Sequence, residues 1–172
     1  MIIKYRIAGS LYFPAWFAAL GLVLCANTAQ GGVWSCTHGH RGNIEYPDRL
    51  VVATRDRTGQ GLDFTQIPDD GNWVHFAPPS VLGSTVRYIG LQFWTGSADA
   101  IVDYVHVYDL GQKVYSFDGL GWSDGWHTQV LDLGSDVSFN AIGISVGIST
   151  GAAATSHRFI FTGACAFVTS PG

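Results

Sequence analysis

The sequence predicts an all-β protein: a two-sheet antiparallel β-sandwich, jelly-roll-like, behind an N-terminal signal peptide. Three observations carry that expectation. Nine or ten short segments alternate apolar with polar residues at a period of two, the signature of half-buried strands. Clusters of Gly, Pro, Asp and Asn part them at regular spacing, as in sandwiches and barrels. No stretch sustains the 3.6-residue period of an amphipathic helix. A closed barrel is the alternative architecture. An outer-membrane barrel is disfavoured, because its longer alternating spans and aromatic girdles hardly fit into 172 residues.

The first segment sets the compartment. Hydrophobic residues make up 47% of the chain and charged ones 13%, but much of that apolarity is concentrated near the N-terminus. Lys4 and Arg6 precede the apolar run PAWFAALGLVLCA, residues 14–26, and the small and polar residues that follow complete the pattern of a signal peptide. The expected division is a signal peptide over residues 1–30 and a single domain over 31–172. A membrane anchor is the rival reading of the same run, for which it is short. Leu24 before Cys25 is too large for a lipidation site. Without the leader, seven basic residues face thirteen acidic ones, a net charge of −6. That balance disfavours nucleic acid and anionic membrane surfaces as partners. Export also implies that Cys36 and Cys165, near the two ends of the domain, are paired.

The strands follow in order. Residues 33–38 (VWSCTH) form the first, and GHRGN after it reads as a turn. Residues 49–55 (RLVVATR) form the next strand or pair of strands, and DRTGQGLD, 56–63, reads as an exposed loop. QIPDDGN, 66–72, is a turn. Residues 73–77 make a short strand stopped by Pro78 and Pro79, since proline donates nothing to a ladder. Residues 85–94 (TVRYIGLQFW) make another, with Val86, Tyr88 and Phe93 or Trp94 toward the core and Gly90 as a bulge. Trp73 and Trp94 are expected in the core.

Residues 101–120 read as a hairpin about 109–112. A two-residue turn at Leu110 and Gly111 sets Val107 opposite Val114 and His106 opposite Tyr115. A three-residue turn with a bulge places Val107 on the face of Tyr115 and Phe117. Both registers stay open. Residues 119–127 (GLGWSDGWH) read as a loop and 129–133 as a short strand. Residues 137–149 alternate most cleanly, with Ile142, Ile144, Val146 and Ile148 on one face and Gly143, Ser145, Gly147 and Ser149 on the other. A face of Gly and Ser admits large aromatics from a neighbouring strand. Residues 157–168 form the last strand, with a break at Gly163.

EYPDRL at 45–50, VHVYD at 105–109, SFDGL at 116–120 and GISVG at 143–147 resemble a family of small, mostly bacterial β-sandwich domains whose function is uncharacterised. The resemblance spans roughly residues 36–150 and implies the fold. It brings no catalytic residues.

Candidate chemistry is sparse. Cys36, His38 and His40 fall on one strand face, as a soft metal site needs, but no fourth ligand is placed and a disulfide uses Cys36. Asp69 to Asn72 lacks the spacing of a calcium loop. Carboxylates at Glu45, Asp103, Asp109, Asp118 and Asp124 are not brought in pairs to glycosidase separation, and no Gly-x-Ser-x-Gly elbow occurs. No catalytic residue, metal or cofactor is assigned. The ligand-binding candidates are Trp122, Asp124, Trp126 and His127, in a Gly-rich turn. Two indoles four residues apart suit stacking on a sugar face with hydrogen bonds to its hydroxyls. The same indoles also suit capping the sandwich core. The expected activity is binding of a glycan by an exported, secreted or periplasmic, non-catalytic domain. A structural or protein-interaction module is the alternative, and a hydrolase comes third.

Overall fold

The computed structural model describes residues 31–51, 56–153 and 156–170; the expected signal peptide lies outside them. Within the unit 32–172, the alternation resolves into β1 (Val33–His38), β2 (Asn43–Ile44), β3 (Asp56–Thr58), β4 (Gly61–Thr65), β5 (Gly71–Phe76), β6 (Ser84–Thr95), β7 (Ala100–Asp109), β8 (Gln112–Trp122), β9 (Gly125–Phe139), β10 (Ile142–Thr150) and β11 (Arg158–Ser170). They form two antiparallel sheets. One runs β3-β4-β11-β6-β9, with β1 also paired to β11; the other runs β2-β5-β10-β7-β8. Among the described strands only β3 to β4 and β7 to β8 are links within one sheet, and every other connection crosses the sandwich. That is a jelly-roll-like path.

The cross-links follow from the pairing. β4 and β1 share one edge of β11, β4 beside Arg158–Phe161 and β1 beside Gly163–Val168. The break expected at Gly163 is a shift in register between Phe161 and Gly163. Cys36 lies directly opposite Cys165 and is bonded to it, so the staple fastens the first strand to the last. Between the sheets, Phe93, Phe139, Phe159 and Phe161 are fully buried with Leu62 and Ile89, and each such side chain contributes about 1.5–3 kcal/mol on leaving water.

Several local expectations are corrected. The supposed loop 56–63 is the β3–β4 hairpin, which buries Leu62 and Phe64. Residues 47–49 form a 3-10 turn started by Pro47, and Leu50 makes one bridge to Gln66; residues 52–55 lie outside the described ones. Residues 137–149 are not one strand, since β9 and β10 meet across Asn140 and Ala141. In β6 the bulge against β9 falls between Val86 and Tyr88, not at Gly90. That slip turns Tyr88 and Trp94 outward and Ile89, Leu91 and Phe93 inward. Trp73 also stands on an outer face, against His106 and Tyr104.

The 109–112 hairpin combines both expected registers. Asp109 faces Gln112 across a two-residue turn with Leu110 at φ 54°, and a bulge one step on sets Val107 opposite Tyr115. Val105 and Val107 are therefore wholly buried, with Tyr115 and Phe117 packed beside them. His106 and Tyr108 face outward, over the Gly and Ser side of β10, as the bare face of that strand required.

Candidate functional site

The outer face of the six-stranded sheet holds a broad concavity, and pairing explains it. Side chains of paired residues line up in rows across a sheet, and rows two residues apart stand about 7 Å apart. Trp34, Phe167, Tyr88 and Asp132 make one row. Cys36, Cys165, Gly90 and Val130 make the next, and His38, Gly163, Gln92 and Thr128 the third. Past the irregularity at Thr162, Ile160, Trp94 and Trp126 make the fourth. The middle rows are low, since two glycines and the disulfide occupy them, while the flanking rows are tall and aromatic. The result is a trough of about 610 Å³, within the size range of ligand sites.

Its Trp34 side is aromatic. Trp34 packs on Phe167 at 5.2 Å between ring centroids and Phe167 on Tyr88 at 5.8 Å. Trp94 and Trp126, the latter 56% exposed, stand in the row beyond the trough's far side, and the Arg158 guanidinium lies 5.9 Å from the Trp94 ring centre. Gln92, Thr128, Thr162 and His38 add polar atoms, with the Thr162 hydroxyl donating to the Gln92 side-chain oxygen at 2.9 Å. Among the described residues no Asp, Glu, Lys or Arg lines the trough. Charges stand at its margins in pairs, Arg87 with Asp132 at 2.8 Å and Arg158 with Asp63 at 2.5 Å. The Gly134 amide, more than Arg87, holds the Asp132 carboxyl below the usual carboxylate range.

The four residues expected to form a loop site are divided. Their segment is not a loop but the corner where β8 leaves one sheet and β9 enters the other, through Ser123 and Asp124. Asp124 has φ 62° and Gly125 φ 114°, which makes the turn tight. Trp122 points into the sandwich, 5.9 Å from Phe93, and His127 stacks on the same ring at 4.9 Å while bonding the Ser123 carbonyl at 3.0 Å. Trp126 points outward beside the trough and Asp124 is exposed at the turn. None of the four lines the concavity; Trp126 comes nearest, one row beyond Thr128 on the same face. Trp34, Gln92, Trp94, Thr128 and Thr162 were missed. A signal existed for Trp34, because the Cys36–Cys165 pair puts residues 34 and 38 on the face of 163 and 167.

The other sheet carries an aromatic row outside, Trp73, Tyr104, His106 and Tyr108. Beside it Glu45, His75 and Ser145 form a hydrogen-bonded relay at 3.1 and 2.8 Å. Ser145 is only 7% exposed, on a strand hydrogen-bonded along both edges, so the relay offers neither an accessible nucleophile nor paired free amides for an oxyanion. Among the described residues no group of three or more His, Cys, Asp or Glu is placed to hold a metal ion.

No family model matches the chain. No curated protein matches it in sequence. Among solved structures it is similar to a low affinity xylan binding module, CBM86, from Roseburia intestinalis, with TM-score 0.51 and 14% identity over 80% of this chain and 96% of that one. The xylan-binding module CBM15 gives TM-score 0.47 and 13% identity over 83% and 100%. A family 35 carbohydrate binding module from Clostridium thermocellum gives TM-score 0.43 and 12% identity over 77% and 97%. The first likeness establishes the sandwich fold; the other two add nothing to it.

Proposed function

We propose that this sandwich is a non-catalytic carbohydrate-binding module that holds an uncharged polysaccharide across its six-stranded sheet. The trough carries the reading: Trp34 lines a concavity with hydroxyl, amide and imidazole groups and, among the described residues, no charged side chain, and Trp94 and Trp126 stand in the next row of the same face. Sugar rings present apolar C–H faces and rims of hydroxyls, and indoles with neutral hydrogen-bonding groups complement both. An anionic glycan would find no cation in the trough. The fold shared with a xylan binding module supports the class and assigns no residue. The disulfide supports export, since such bonds persist in oxidising compartments, and a polysaccharide ligand outside the cytosol agrees with it. The likeness to small bacterial sandwich domains belongs to the same proposal.

Affinity electrophoresis through gels containing neutral xylan, glucan, mannan or galactan tests the reading. The protein is expected to be retarded by at least one, and Trp34→Ala with Trp126→Ala to run free while remaining folded. Unretarded migration in all four gels, together with concentration-dependent self-association in light scattering, would favour the protein-interaction reading instead.

A further inference from the structure

The opposite face of the sandwich carries a second, smaller concavity. We infer that the cavity bordered by Trp73, Tyr104, Tyr46 and Arg49 is a second sugar site, sized for one neutral pyranose. It rests on its own side chains and does not depend on the trough. Gly147 forms part of its floor, where a Cβ would lie 2.9 Å from Trp73 Cη2 and 3.0 Å from Tyr104 Cβ. The indole and the phenol thus flank bare backbone, with ring centroids 6.0 Å apart and 35° between planes. Tyr46 forms a further wall, with the Arg49 guanidinium 4.2 Å from its ring centre. The cavity, open to solvent on its outer side, has a volume of about 240 Å³, room within it for a single ring.

Chemistry narrows the occupant. Tyr46, Tyr104 and Ser149 supply hydroxyls and Arg49 supplies N–H donors. Asn72 also lines the cavity, but its side chain is committed to Tyr46, Gln66 and Trp73 and only shapes the wall. The Arg49 charge is offset by Asp70 at 3.2 Å. Glu45 and Asp103 stand beside the two phenols and hold their protons more tightly. An acidic rim around a neutralised arginine disfavours uronic acids and phosphosugars, which leaves a neutral ring. With two such sites on opposite faces, one molecule holds a polysaccharide on one sheet and a chain end or branch on the other.

The test is an NMR titration of the tryptophan indole N–H signals with the methyl glycosides of xylose, glucose, galactose and mannose. At least one is expected to move the Trp73 signal saturably. Tyr104→Ala should weaken that response about tenfold, the scale of one aromatic contact, and Ser149→Leu, which fills the cavity without removing a wall, should abolish it. Trp126→Ala should leave it unchanged while releasing the protein from polysaccharide gels, so that the two sites fail separately. A Trp73 signal unmoved by all four glycosides overturns the inference. So does a response that survives Ser149→Leu or disappears with Trp126→Ala.

Discussion

The Trp34 indole rests on the backbone of Gly90: a Cβ there would lie 3.1 Å from Cζ3 and 3.4 Å from Cη2. One wall of the trough is therefore seated closely over a glycine, where any Cβ would require the indole to shift by a few tenths of an ångström. Gly90→Val should lift the indole, while a β-branched residue suits the strand itself. Polysaccharide affinity should fall about 30-fold, the loss of one central aromatic anchor, with unfolding stability changed by less than about 1 kcal/mol. Calorimetric titration beside denaturant unfolding separates the two. Unchanged affinity would show that Trp34 is not an anchor.

Cys36 and Cys165 lie 129 residues apart in sequence, so the bridge closes nearly the whole domain. The chain-entropy account gives such a bridge roughly 4–5 kcal/mol, and measured losses on removing one are about 2–5 kcal/mol. Replacing both cysteines with serine should lower unfolding stability by about 3 kcal/mol on that scale. It should also weaken polysaccharide binding, because β1, which bears Trp34, pairs with no described strand but β11. Guanidinium unfolding measures the first effect and gel retardation the second.

Asn72 is 2% exposed and accepts from the amides of Tyr46 and Trp73 at 3.0 and 2.9 Å. Asn72→Ala leaves both donors without this partner, and a buried orphan costs about 1–3 kcal/mol. A loss of about 3 kcal/mol in denaturant unfolding is expected on that scale. Binding at the trough should stay intact once the protein is folded.

Asp109 accepts from Ala141 N, Asn140 N and Asn140 Nδ2, tying the β7–β8 turn to the β9–β10 turn. These bonds, that from Ala141 foremost, lower its pKa from the ordinary 3.8. A carboxylate with a depressed folded-state pKa contributes fully above its unfolded value, and the contribution is lost as pH falls through the folded one. Asp109→Asn should therefore be less stable than the parent at neutral pH. The gap should close below pH 3.8 in thermal melts taken across the acid range, and a gap that persists undiminished would refute this.

Strand periodicity was legible wherever one face met the core. Ile142 to Ile148 announced both the buried side of β10 and the bare side that Trp73 and Tyr104 cover. The disulfide was legible from compartment and position. What sequence concealed was facing. The bulge after Val86 sends Tyr88 and Trp94 outward, and a one-residue slip of that kind leaves no local mark when both faces of a strand carry aromatics. The Trp122 corner misled for a related reason, since Gly119 and Gly121, at φ 67° and 62°, resemble loop glycines yet lie within β8. Even so, Trp126 was placed among the candidates. Its partners were not, because they come from strands far apart in sequence and meet only through register.

The most direct measurement is an NMR titration of the indole N–H signals with neutral xylo-, cello- and manno-oligosaccharides. Trp34 and Trp126 should move together and saturably with at least one of them, while Trp122, packed against Phe93 inside the sandwich, stays still. If none moves Trp34 or Trp126, or if Trp122 responds and they do not, the trough is not the sugar site.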